Sequence, residues 1–189
     1  MTFNEKQKNI ILSLAQGNSN STIVEKCQIP IKSVERILNS LVKKLNIDSK
    51  IFNPRLRLLM LIINKNIIEY QSNNPLRNID NLDSKSLNTL YLMCVGFSNK
   101  SIARLLEISD KTVELRLANL FDVFSIDTKD NKEKNSRVEL FISAFLRGLF
   151  SSNKLKRLAK ETSEINLENI FNDPKDFIAN LNNDHKFIG

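Results

Sequence analysis

The chain is poor in the residues that most catalysis, metal binding and sharp turning require. It has one histidine, two cysteines, no tryptophan, four glycines and four prolines in 189 residues. The lone His185 lies in a polar C-terminal stretch. There is no Cys/His metal spacing and no glycine-rich phosphate loop. An enzyme is therefore not expected, nor any metal or cofactor. Cys27 and Cys94 read as reduced, buried thiols of a cytoplasmic protein rather than a disulfide. No apolar run resembles a signal peptide. The most apolar stretch, Leu56–Ile63, is too short to span a bilayer and holds Arg57, so no membrane partner is expected. Scarce glycine and proline with 41% hydrophobic residues suit an all-α chain of one or two domains.

Positive charge is present, and it is concentrated. The formal net charge is +7. Residues 1–79 hold 12 Lys/Arg against 5 Asp/Glu, while residues 80–150 hold 10 of each and residues 151–189 hold 6 of each. The whole excess lies in the first part of the chain. A focused cationic surface suits a polyanion, because neutralised phosphates release counterions.

Within that part, Ser19–Leu45 has a distinctive layout. A short amphipathic segment, Ser21–Cys27, meets a break at Gln28-Ile29-Pro30, and a longer one runs from Ile31 to Leu45. Pro30 disfavours helix at the residue before it and suits a helix start. Val34, Ile37, Leu38, Leu41 and Leu45 make one apolar face, and Lys32, Arg36, Asn39, Lys43 and Lys44 fall mostly opposite. A short helix, a tight turn and a basic-faced helix follow the helix-turn-helix plan, whose second helix enters the major groove. An ordinary helical hairpin with a solvated basic face has the same pattern.

The stretch then recurs 79 positions later. Gly17, Ser19, Asn20 and Ile23 return as Gly96, Ser98, Asn99 and Ile102. Ile29, Lys32, Val34, Glu35, Leu38 and Leu41 return as Ile108, Lys111, Val113, Glu114, Leu117 and Leu120. Across 48 ungapped residues, 15 are identical. Core spacing, turn and exit agree together, which points to an internal duplication.

The expected architecture is two tandem four-helix helix-turn-helix repeats plus a short helical C-terminal tail. Its parts are residues 1–72, a linker at 73–81, residues 82–151 and a tail at 152–189. The opening helix runs from Asn4, its N-cap, to Gln16, with Gly17 as C-cap. A very apolar closing helix follows Pro54, from Arg55 to about Tyr70. Its apolar residues exceed one face, so it should pack on the other repeat or another chain. In the second repeat, Asp83 or Ser84 caps the opening helix, and Ser109 or Asp110 caps a second recognition helix ending near Phe124. After a charged loop longer than its counterpart, Ser136–Phe150 closes the repeat. Phe171, Phe177, Ile178 and Phe187 suggest that the tail docks on something.

Both repeats resemble the LuxR/NarL-type, or GerE-like, helix-turn-helix family. The second, GFSNKSIARLLEISDKTVELRLANLF, matches better, with Gly, Ser-Asn-Lys, Ile-Ala and Ile-Ser-x-x-Thr-Val in place. The first, AQGNSNSTIVEKCQIPIKSVERILNSLVKKLNI, is looser at the turn but keeps Lys44-Leu45. Ser136–Leu140 with Arg147-Gly148-Leu149 resembles the family's closing helix, which serves dimerisation in several members. The resemblance spans about residues 3–150. It implies a bacterial-type transcriptional regulator that binds double-stranded DNA. No receiver or ligand-sensing domain precedes the first repeat, so regulation is expected through abundance, a partner or the tail.

The departures divide the repeats. The position after Thr-Val, often Lys in the family, is Glu35 and Glu114 here. The next outward positions are Arg36 and Asn39 in the first repeat but Leu115 and Ala118 in the second, followed by Asp122. Arg reads guanine and Asn reads adenine bidentately; Leu and Ala do neither. The expected DNA-facing residues are Lys32, Ser33, Val34, Arg36, Asn39, Ser40, Lys43 and Lys44, with Lys111, Thr112 and Arg116 at equivalent places. The second repeat would act as a built-in partner subunit. A protein-interaction role, toward RNA polymerase or another regulator, is the alternative. A homodimer through the closing helices is a further expectation.

Overall fold

Most of the helices begin at a small polar residue whose side chain caps them. The computed structural model describes residues 3–64, 82–128, 133–147 and the single positions 149, 157, 162, 171, 174 and 179. The expected linker, Ile67, Ile68, the tail's Phe177, Ile178, Phe187 and His185, and most of the tail's expected helices lie outside those residues. Eight helices are described: α1 (Glu5–Ala15), α2 (Asn20–Cys27), α3 (Ile31–Lys44), α4 (Pro54–Asn64), α5 (Ser84–Val95), α6 (Asn99–Leu105), α7 (Asp110–Val123) and α8 (Ser136–Leu146). The fold is all-α, with no strand among the described residues.

Asn4 caps α1 in a reciprocal box: its Oδ1 accepts from the Gln7 amide at 2.9 Å, and the Gln7 side chain accepts from the Asn4 amide at 3.1 Å. Ser19 and Ser98 cap α2 and α6. Asp83 caps α5 and Ser109 caps α7, which resolves both open alternatives. Gln16 is the C-cap of α1, with Gly17 just beyond it at φ +79°. Pro30 precedes α3 without a side-chain cap, and Gln28 turns the corner in the left-handed region.

The two sets of four helices are tied together reciprocally. The turn after α1 pairs with the residues leading into α8: Asn135 N donates to Gly17 O and Ser19 N to Glu133 O, both at 2.7 Å. The turn after α5 pairs in the same way with the residues leading into α4. There Asn53 N donates to Gly96 O at 2.7 Å and Ser98 N to Ile51 O at 2.9 Å. Side-chain bonds repeat the arrangement, from Thr22 Oγ1 to Glu133 O at 2.8 Å and from Ser101 Oγ to Ile51 O at 2.7 Å. Each turn is thus held by the segment that opens the other set's closing helix. Twelve residues separate α7 from α8 and nine separate α3 from α4. The connection into α8 is therefore three residues longer than the one into α4.

One buried cluster spans both sets, from Ile11 and Leu14 through Leu56–Ile63 to Tyr91, Leu120 and Phe145. The described apolar residues of α4 pack against α5 and α8 of the same chain. Phe141 and Phe145 of α8 are likewise buried internally. A satellite cluster of Ile10, Ile23 and Val34 lies under the first turn. The tail contributes to the seam: Arg57 Nη1 donates to Thr162 Oγ1 at 2.8 Å, and Phe171 meets Phe97 edge-on at 6.3 Å. No helix among the described residues is long and apolar enough to cross a membrane.

Candidate nucleic-acid interface

Helix α3 is anchored by its apolar positions, and that anchoring decides what it presents outward. Val34 and Leu41 are fully buried, and Ile37 and Leu38 pack beside them. Lys32, Arg36, Asn39, Ser40, Lys43 and Lys44 are exposed on the other side. Lys32, Arg36, Asn39 and Lys43 recur at helical spacing as one stripe. Helix α3 carries four basic side chains to one acidic, Glu35. Lys32, Arg36 and Lys43 have no ion-pair or hydrogen-bond partner among the described residues. Lys44 lies over the Phe3 ring, 5.7 Å from its centroid. Ser33 is half-buried at the start of the helix.

Val34 corrects the expectation that it faces DNA. It is wholly enclosed with Ile10 and Ile23, because the turn between α2 and α3 needs an apolar contact there. It can position the helix but cannot reach a base.

Helix α7 presents a different surface on the same frame. Its exposed stripe is Lys111, Leu115, Ala118, Asn119 and Asp122, with Glu114 beside it. Three acidic side chains meet two basic ones along the helix. Thr112 is half-buried, its hydroxyl 2.8 Å from the Ser109 cap. Arg116, expected to face DNA, is also half-buried and donates to Thr89 Oγ1 at 3.4 Å. Arg116 occupies the place that Ile37 has in α3, and Thr89 the place of Ile10. A polar pair has replaced an apolar one on the inward side. Of the three residues expected in this set, only Lys111 stands fully outward.

Three arginines, Arg55, Arg57 and Arg137, bond inside the frame, a role that their sequence positions alone did not assign. Arg55 Nη2 donates to Asn18 O at 3.2 Å and to Asn20 Oδ1 at 2.8 Å, and Arg137 Nη2 donates to Asn99 Oδ1. Each clamps the first residue of its set's turn-preceding helix, α2 or α6, to the closing helix. Burial lowers both guanidinium pKa values. Arg57 is 3% exposed, stacks on Phe52 at 4.2 Å and donates to Val95 O at 3.1 Å. Burial pulls its guanidinium down to about 10. The matching places of Arg55 and Arg137, one residue inside α4 and α8, were the signal available.

The α5–α7 layout of capped helix, glycine corner, short helix and longer helix is specific enough to compare with known families. Residues 80–127 match GerE, the luxR family of bacterial regulatory proteins. These residues form a luxR-type helix-turn-helix domain, which supports a DNA-binding transcription regulator. That family is a regulator family and not an enzyme family. No curated protein and no solved structure matches the chain. Within the matched segment Gly96, Ile102 and Val113 are enclosed, Ser98 caps α6, and Ile108 and Thr112 are half-buried. The more basic outward face belongs to α3, outside the match. Among the described residues no group of three His, Cys, Asp or Glu is placed to hold a metal ion.

Proposed function

We propose that the chain is a DNA-binding transcriptional regulator built from two copies of one four-helix unit. The first copy would be the main major-groove reader, and the second its built-in partner subunit. The observation that carries this is the stripe Lys32, Arg36, Asn39 and Lys43, without partners among the described residues, on an α3 whose other face is locked into the core. Arg36 and Asn39 have the donor geometry to read guanine and adenine. Lys32, Ser40, Lys43 and Lys44, with Ser33 at the helix start, suit phosphate contacts that set register. Lys111 and Thr112 would contribute less.

Fluorescence anisotropy with random and selected duplexes, across a salt series, tests this. The slope of log affinity against log salt should reach several multiples of about −0.9, the value per neutralised phosphate. Lys43→Ala should reduce that slope by about one contact. No binding to any duplex at about 50 mM salt would overturn the reading.

One observation favours a second reading, a protein-interaction module directed at RNA polymerase or another regulator. Leu115 is 63% exposed in the middle of α7, next to Ala118. Capture of RNA polymerase by the chain, lost in Leu115→Glu with the fold intact, would support that role for α7.

A further inference from the structure

We infer that the chain binds DNA alone, one molecule per site, and reads a single non-palindromic half-site. This rests on the DNA-binding reading above and specifies the class of DNA it takes. Two sets of observations lead there.

The first is where the apolar faces of the closing helices go. A symmetric dimer of helix-turn-helix units needs a self-complementary surface on each subunit. Here that role is filled inside the chain. The segments opening α4 and α8 each bond to the opposite set's turn, and the described apolar residues of α4 are buried against α5 and α8. Among the described residues, no large apolar side chain of α4 is exposed, and on α8 only Leu146, at its end, is more than a third exposed. The chain already contains its own pseudo-symmetric partner.

The second is what that partner presents to DNA. With the helices superposed by their shared spacing, Arg36 corresponds to Leu115, Asn39 to Ala118 and Lys43 to Asp122. All six side chains are exposed. A base-reading guanidinium and amide are replaced by groups without donors, and a phosphate-binding ammonium by a carboxylate. The one inward cation of α7, Arg116, is turned onto Thr89. A palindromic operator would set this face against a second half-site, where Asp122 and Glu114 repel phosphate and Leu115 satisfies no base edge. Symmetry in the DNA would add nothing.

The test uses the full chain and duplexes enriched from a random library. Sites should emerge as one asymmetric element, with one chain per duplex by sedimentation equilibrium. A duplex with the element repeated in inverted orientation, at spacings around one helical turn, should bind no more than about twofold tighter, the statistical factor for two sites. An inverted-repeat consensus, two chains per site, or a gain of about tenfold or more from the second element would overturn the inference. Failure on every duplex is a separate result, and falls on the DNA-binding reading itself.

A graft tests the cause. Leu115→Arg, Ala118→Asn and Asp122→Lys together rebuild the α3 face on α7 using exposed positions only. With helical content unchanged, this variant should bind the inverted repeat at one of those spacings at least about tenfold tighter than the single element, through linkage of two readers in one chain. A folded graft with no gain at any spacing would overturn the attribution to the α7 face.

Discussion

Arg36 and Arg116 are drawn from the same pattern of basic residues on a second helix, yet they stand in opposite environments. Arg36 is exposed on the stripe, while Arg116 is half-buried against Thr89. Arg36→Ala should cost about 1–3 kcal/mol of binding on a selected duplex and leave thermal stability unchanged. Arg116→Ala should do the reverse, lowering the unfolding midpoint with little effect on affinity. Equal losses of affinity from both would sink the asymmetric reading. The cysteines make a second pair of contrasts. Cys94 is completely buried, and burial pushes its thiol well above the ordinary range; Cys27 is half-buried and its thiol is raised less. Thiolate is the reactive form, so both should label slowly at neutral pH. In the native chain one thiol, Cys27, should react with a disulfide reagent, and the second only on addition of denaturant. Two equally fast native reactions would contradict the packing of α5.

At the scale of elements, the two glycine corners are equivalent in backbone but not in surroundings. Gly17 and Gly96 have φ of +79° and +98°. A Cβ at Gly96 would lie 2.9 Å from the Arg57 Cα, which is backbone in a buried helix. One at Gly17 would meet the Glu139 Cγ at 3.2 Å, part of a flexible side chain. Both alanine variants carry the cost of a left-handed residue, about 1 kcal/mol. Gly96→Ala must also move α4 away from the turn, so its loss in urea unfolding should exceed that of Gly17→Ala by about 1–3 kcal/mol. The α5 cap adds a pH dependence. The Asp83 carboxylate accepts from the Ser86 amide at 2.6 Å, and the Ser86 amide and hydroxyl hold its pKa below the usual 3.8. A depressed folded-state pKa means stability present above the unfolded value and lost as pH falls through the folded one. Asp83→Asn should therefore flatten the acid side of the stability curve, read as unfolding midpoints between pH 5 and 2.

At the scale of the whole molecule, the two sets share one buried cluster and exchange the bonds that hold their turns. Neither set can satisfy Ile51 O, Glu133 O, Gly17 O or Gly96 O as it does here without the other. Urea unfolding should be one cooperative transition, coincident by far-ultraviolet circular dichroism and tyrosine fluorescence. A fragment of residues 1–81 should lack a cooperative transition, because α4 would expose the apolar face that α5 and α8 cover. Two separated transitions, or a well-folded fragment, would show that the shared core is not what stabilises each half.

Much of this was legible in a single chain of letters. Apolar spacing marked α3, Asn4 marked the start of α1, and Asp83 or Ser84 and Ser109 or Asp110 bracketed the starts of α5 and α7, because capping and amphipathicity are local properties of neighbouring residues. The contrast between Arg36, Asn39, Lys43 and Leu115, Ala118, Asp122 was also local, since a helix fixes which residues share a face. Three things depended on the tertiary structure. Val34 had the spacing of the helix but no place on its outer surface, because the turn against α2 encloses it. Arg116, expected to face DNA, and Arg57, set in the most apolar stretch, are held inward by contacts with Thr89, Val95 and Thr162, which lie 27, 38 and 105 residues away. The surplus apolar surface of α4 announced a partner without naming it. Only the packing of α5 and α8 onto α4 decided that the partner is the same chain, because a hydrophobic face specifies how much must be covered and not what covers it.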